Sequence, residues 1–151
     1  MPVTIKGPWS QQQIAEFFEE VRVPLRVACN GLSGTPVLAS LWYLPEEGRL
    51  WCATQSQSSA ARLLAENGRC AFEVSLENIP YRGVRGQGSA ELAPSRGEEI
   101  LRRLIDRYLV GSASKLAQTL LERVDTETAI VITPEQLVSW DFTERMTESR
   151  N

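Results

Sequence analysis

The chain has 151 residues, 42% hydrophobic and 23% charged, the balance of a folded globular protein and not of a disordered one. Sixteen basic against nineteen acidic residues leave a formal charge of −3, which argues against a nucleic-acid surface, where a basic excess is expected. A chain of this length fits one domain spanning 1–151, and it can bury roughly 68–70% of the surface its unfolded form exposes.

There is no histidine, and Cys29, Cys52 and Cys70 stand apart with no C-x-x-C pair. Those facts remove Cys–His and Ser–His–Asp catalysis, histidine-ligated haem and zinc sites of Cys/His spacing. The three cysteines read as small buried hydrophobes in a reducing compartment. No basic N-terminal region leads into an apolar run, and no stretch approaches 18 apolar residues. The expectation is a cytoplasmic protein that does not engage a membrane.

In chain order, Ser10 and Gln13 have capping-box spacing, and Ile14, Phe17, Phe18 and Val21 recur at helical intervals. This predicts an amphipathic helix over about 10–22, stopped by Pro24. Strands follow over Leu25–Asn30, Pro36–Tyr43 and Arg49–Thr54, separated by turn signals at Gly31–Gly34 and Pro45–Gly48. Glu46 and Glu47, in the second turn, read as solvated. Ser58 can cap a helix through Glu66, which Asn67-Gly68 stops, and Arg69–Leu76 returns to strand.

A long extended segment, Arg82–Leu92, carries Gly83, Gly86 and Gly88, which is too much glycine for an ordinary core strand. Bulges, barrel bending or the close approach of a ligand would explain it. A helical insertion over about 97–122 contains a helix near Glu98–Leu109, with Leu101, Leu104, Ile105 and Tyr108 inward and Arg102 and Arg103 outward. A second helix follows near Leu116–Leu121. Thr128–Thr133 and Gln136–Trp140 read as two terminal strands broken by Pro134. About seven strands joined mostly by short turns predict a mainly β fold with flanking helices, built as an antiparallel split barrel.

The densest concentration of candidate site residues is the turn after Thr54. Ser56, Ser58 and Ser59 offer hydroxyls, the helix start offers free N–H groups, and Arg62 offers a guanidinium, a set suited to a phosphate. A serine-rich surface loop with an ordinary cap and a solvated arginine has the same composition. Trp42 and Trp140 can lie against a flat aromatic ligand or be packing residues. Arg82 and Arg85 have odd spacing and need not share a face of a regular strand unless a bulge intervenes. Gly83-x-x-Gly86-x-Gly88 is not a dinucleotide fingerprint, because it lies inside an extended segment.

Thr54, Ser58, Arg62, Asn67 and Arg69 match in order and spacing the corresponding segment of flavin-binding split barrels related to pyridoxamine 5'-phosphate oxidase. The resemblance covers about residues 20–142. Ala60 stands where that family usually has lysine, and Gly68 stands where it has proline. The resemblance implies an FMN-binding homodimer, with Ser40, Leu41 and Trp42 on the strand lining the flavin ring. It places Arg82 on the strand beneath the cofactor, and Trp140 on a final strand that approaches flavin held by the other subunit. It also implies hydride transfer through flavin N5 on a small-molecule substrate, with a nicotinamide cofactor as a candidate electron donor. A deazaflavin-dependent reductase and a non-enzymatic flavin-binding or regulatory protein are the alternatives. The family's true oxidases hold substrate phosphate with a C-terminal arginine/histidine segment. Here the tail RMTESRN offers only Arg145 and Arg150, so that particular activity is disfavoured.

Overall fold

The computed structural model describes residues 2–109 and 114–148. Helix α1 (Gln11–Glu20) begins at the foreseen capping box: the Ser10 hydroxyl accepts from the Gln13 N–H, and the Gln13 side chain accepts from the Ser10 N–H. Its apolar face, Ile14, Phe17 and Phe18, is buried. A three-residue strand unforeseen in the sequence, β1 (Thr4–Lys6), precedes it.

The strands that follow are β2 (Leu25–Asn30), β3 (Pro36–Leu41), β4 (Leu44–Glu46) and β5 (Arg49–Gln55). After helix α2 (Ser59–Glu66) come β6 (Arg69–Leu76) and β7 (Arg82–Ala93). Helices α3 (Gly97–Tyr108) and α4 (Ser114–Leu121), strand β8 (Glu127–Asp141) and helix α5 (Thr143–Glu148) complete the chain.

All eight strands form one strongly curled sheet, a half-barrel of order β3-β2-β6-β7-β8-β5-β4, with β1 added to β8. Every pairing is antiparallel except β1 with β8. The predicted split-barrel class stands. The strand list needs three corrections: β1 and β4 are additional, and the two predicted terminal strands are one.

Strand β8 runs through Pro134 because the ladder is bulged there. Gly88 pairs with Pro134 and Gln87 with Gln136, so Glu135 is an extra residue, and proline's missing N–H is tolerated at such an irregularity. All three β7 glycines are explained by close approach, Gly88 by the Thr133 carbonyl opposite the bulge. A Cβ on Gly83 would lie 2.6 Å from the Trp140 ring, and one on Gly86 would lie 2.5 Å from the Phe72 ring.

The inner face of the sheet holds the main core. Leu25, Val27, Phe72, Val74, Val84, Ile130 and Ile132 meet Ile14, Phe17 and Phe18 of α1 and Ala60 and Leu64 of α2. On the opposite face of the β5–β8 pair, Trp51, Ala129 and Val131 pack on Ile100 and Leu104 of α3. Coverage of both faces explains why 129–132 is a continuous apolar run and not an alternating one. Leu101, Leu104 and Ile105 are buried as the helical spacing requires. Arg103 corrects the expectation of solvent exposure: it is half-buried and donates to both Glu46 carboxylate oxygens, at 2.9 and 3.3 Å. Glu46, expected to be solvated, is therefore a tether between β4 and α3, and Arg103 holds its carboxyl below the usual range. No helix among the described residues is long and apolar enough to cross a membrane.

Candidate functional site

Strand β3 is one edge of the sheet and the short β4 the other; β4 pairs only with Arg49–Trp51, so the far end of β5 lies across from β3 with no ladder between them. The seam between β3 and β5 is a concavity of about 320 Å³. Ser40, Leu41 and Trp42 line it from the β3 side, and Ala53, Thr54 and Gln55 from β5. Leu101 and Leu104 of α3, Leu120 of α4 and Glu127 of β8 supply the remaining walls. Four of the predicted site residues, Ser40, Leu41, Trp42 and Thr54, thus meet in one place. The lining is apolar and aromatic with a few hydroxyl, amide and carboxyl groups, the usual make-up of a small-ligand site. The volume is at the low end of the roughly 300–1,000 Å³ typical of such sites.

The walls are braced from behind. Trp42 stacks on Tyr108, with ring centroids 5.0 Å apart and planes 6° from parallel. The Tyr108 hydroxyl donates to the Val23 carbonyl at 2.9 Å and accepts from the Tyr43 N–H at 3.2 Å. The Tyr43 hydroxyl in turn donates to a carbonyl at the end of α1, with Phe18 and Val21 oxygens each 2.7 Å away. Burial raises the Tyr108 phenol above its ordinary pKa, keeping it neutral.

The turn leaving β5 leads out of this seam into α2. The Ser58 hydroxyl accepts from the Ala61 N–H at 3.2 Å, so it is the helix cap, and the Ser56 N–H donates to the Thr126 carbonyl at 2.9 Å. Ser59 and Arg62 are exposed and border a separate hollow with Leu32, Val37 and Leu63, which shares no lining residue with the seam. Arg62 makes no ion pair among the described residues.

The matched residues beyond α2 are otherwise engaged. The Asn67 side chain accepts from the Arg69 N–H, and Arg69 is ion-paired with Glu135 at 2.6 Å. Ala60, where a lysine stands in the resembling family, is only 4% exposed and sits in the main core.

Arg82 and Trp140 do not reach the seam within one chain. The Arg82 guanidinium lies 6.0 Å from the Phe17 ring of α1, while Trp140 lies under Arg85, 4.9 Å from its guanidinium, on the other face of the sheet. The bulge falls beyond them, at Gln87/Gly88, and does not bring the two arginines together. Of the two tail cations, Arg145 covers the Phe142 ring at 4.9 Å, and Arg150 lies outside the described residues. All three cysteines are buried, and burial pushes the Cys52 thiol to about 12 and Cys70 to about 11, far from a nucleophile's range.

Sequence reasoning missed Gln55 and Glu127 in the seam. They are cross-strand partners at the ends of β5 and β8. The Gln55 side chain donates to Glu127 and to the Arg123 carbonyl, and accepts from the Thr126 hydroxyl. Only the strand register places them together, so no local spacing could have marked them.

No protein-family model matches the chain, and no curated protein matches it by sequence. Solved structures do match. A conserved hypothetical protein, Rv2991 from Mycobacterium tuberculosis, has a TM-score of 0.76 at 23% identity, over 92% of this chain and 89% of that one. An F420 reductase gives 0.66 at 20% identity, over 81% of this chain and 94% of that one. A FAD-binding protein from Mesorhizobium loti gives 0.61 at 18% identity, over 87% and 93% respectively. At these identities the likeness is one of fold, and the fold is the split barrel that the sequence resemblance implied.

Proposed function

We propose that the chain is an oxidoreductase that holds a flavin-type cofactor, FMN in the first reading, with its ring in the β3–β5 seam. The observation that carries this reading is the meeting of Ser40, Leu41, Trp42 and Thr54 in one seam, at the end of β5 from which the chain turns into α2. The lining suits a flat ring: Leu41, Trp42, Leu101 and Leu104 offer apolar surface, while Ser40, Thr54 and Gln55 can hydrogen-bond to its polar edge. When bound, the cofactor supplies hydride transfer at its ring N5. The protein's part is to orient the ring between β3 and β5, exclude water with α3 and α4, and hold the phosphate with Ser59, Arg62 and the first N–H groups of α2.

A deazaflavin is the second reading. It is favoured by the structural likeness to an F420 reductase and by the buried Ala60, which withholds one phosphate-binding cation.

The proposal includes a homodimer. The outer sheet face carries Leu38, 74% exposed, beside small Ala28 and Ala71 in register with it. This hollow lies between Arg26, Glu73, Arg85 and Val138, and among the described residues no helix lines it. A second copy placed there would bury it and would lie beside Trp140, which shares that face with Arg85, while Arg82 is turned toward α1.

The test is to purify the protein and record its absorption. Flavin bands and release of FMN, identified by mass, support the first reading; a released deazaflavin supports the second. Reduction by a nicotinamide cofactor followed by substrate-dependent reoxidation separates an enzyme from a binding protein. No affinity for either cofactor defeats the proposal.

A further inference from the structure

Among the described residues, Glu127 is the only titratable side chain lining the seam. Its geometry is set by Gln55, whose amide has a fixed sense: Oε1 accepts from Thr126, and Nε2 donates to the Arg123 carbonyl at 3.0 Å and to Glu127 Oε1. Gln55 can therefore only donate toward Glu127. One carboxyl oxygen is committed to that bond; the other accepts no hydrogen bond among the described residues, and the side chain lines the seam.

Burial raises the carboxyl above its ordinary range, offset in part by the Gln55 hydrogen bond and the Arg123 charge. The acids opening α3 are paired elsewhere, Glu98 with Arg102 and Glu99 with Arg96 and Arg103. Asp125, two residues before Glu127, does not line the seam.

We propose that Glu127 makes ligand uptake in the seam proton-linked. As the neutral acid it donates a hydrogen bond to a carbonyl edge of a flat heterocycle, and as the carboxylate it repels that edge. The inference rests on the flavin-type reading and names what the site selects: a conjugated ring whose inward edge accepts hydrogen bonds. Glu127 is a positioning residue in this scheme.

The experiment titrates FMN and riboflavin into the wild-type protein and Glu127→Gln from about pH 5 to about pH 8. Riboflavin is included because a phosphate ester has its own titration near pH 6. Wild-type affinity for both falls as pH rises, by about tenfold per unit above the Glu127 midpoint. Glu127→Gln keeps a donor, cannot ionise and loses that dependence, binding as tightly at the alkaline end as at the acid end.

A second measurement needs no variant. Calorimetry of riboflavin binding in buffers of different ionisation enthalpy reads uptake of about one proton above the midpoint. Identical pH profiles for wild type and a folded Glu127→Gln, or no proton uptake at any pH, overturn the inference while leaving the flavin reading intact. Absence of FMN and riboflavin binding at every pH overturns the inference together with the FMN reading.

Discussion

Trp42 and Tyr108 stack face to face, 5.0 Å between centroids, joining the strand that lines the seam to the end of α3. The pair couples site geometry to fold stability. Tyr108→Phe keeps the stack but removes the hydroxyl that serves Val23 and Tyr43, leaving a half-buried N–H without its acceptor. The expected cost is about 1–3 kcal/mol. Tyr108→Ala removes the ring as well, and the loss should reach about 3–5 kcal/mol. Urea denaturation at neutral pH measures both; equal stability of Tyr108→Phe and wild type would show that the hydroxyl network is not stabilising.

Arg62 is exposed and without an ion pair among the described residues, so its removal should leave folding nearly untouched, within about 0.5 kcal/mol. If it binds the cofactor phosphate by charge-assisted hydrogen bonds, Arg62→Ala weakens FMN about 10–150-fold. Arg62→Lys recovers part of this, because an ammonium lacks the guanidinium fork. Calorimetry showing unchanged FMN affinity in a folded Arg62→Ala protein would remove Arg62 from the site.

Ala60 supplies a contrasting test. The resemblance to that family suggests that Ala60→Lys would restore a cation and tighten FMN. The structure reverses that expectation, because the Ala60 side chain is packed in the core. A lysine there overpacks the α2 contact and must desolvate or escape, at a cost of about 1–3 kcal/mol from overpacking alone. We expect lower stability in urea and no gain in affinity; a stable Ala60→Lys variant with tighter FMN would show that the lysine reaches the turn.

The parts of the fold that were legible in the sequence are those whose pattern is local. Leu25–Asn30 and Arg69–Leu76 alternate cleanly, and both strands have the predicted bounds. Ser10 and Ser58 cap the helices they were expected to cap. What failed depended on partners distant in sequence. Pro134 looked like a strand break because its compensating bulge is set opposite Gly88 on another strand. Leu44–Glu46 looked like a turn because its ladder with Arg49–Trp51 and its Arg103 tether are tertiary. In the site, Ser40, Leu41, Trp42 and Thr54 were visible through the resemblance, whereas Gln55 and Glu127 depend on the β5–β8 register.

The buried thiols predict alkaline sensitivity. In the unfolded chain a cysteine ionises near pH 8.5, but in the fold Cys70 waits until about 11 and Cys52 until about 12. Between those values the unfolded state loses protons that the native state keeps, so stability falls as pH rises, by up to about 1.4 kcal/mol per pH unit for each group. Urea midpoints should decline above about pH 8.5, and Cys52→Ala should flatten part of that decline while costing some packing. A thiol reagent at pH 8 should label none of the three cysteines before unfolding. Rapid native-state labelling of Cys52 would contradict its burial.

Leu38 tests the proposed dimer. It is 74% exposed, in register with Ala28 on β2, in a hollow of the outer sheet face. On a monomer, Leu38→Arg is a surface substitution worth less than about 0.5 kcal/mol. At the centre of an interface it would leave an added charge desolvated against its own symmetry mate, costing about 2 kcal/mol or more in association. Obligate homodimers commonly bury about 2,000–5,000 Å² in total, so the wild type should remain dimeric at micromolar concentration by light scattering. The variant should run as a folded monomer, with unchanged far-UV circular dichroism. Its FMN affinity separates two cases: a fall accompanying dissociation means the partner completes the seam, as a cavity at the low end of the usual volume range suggests. Affinity preserved in the monomer would place the whole site in one chain and leave Arg82 and Trp140 outside it. A wild-type monomer, or an unaltered Leu38→Arg dimer, would move the interface away from this face.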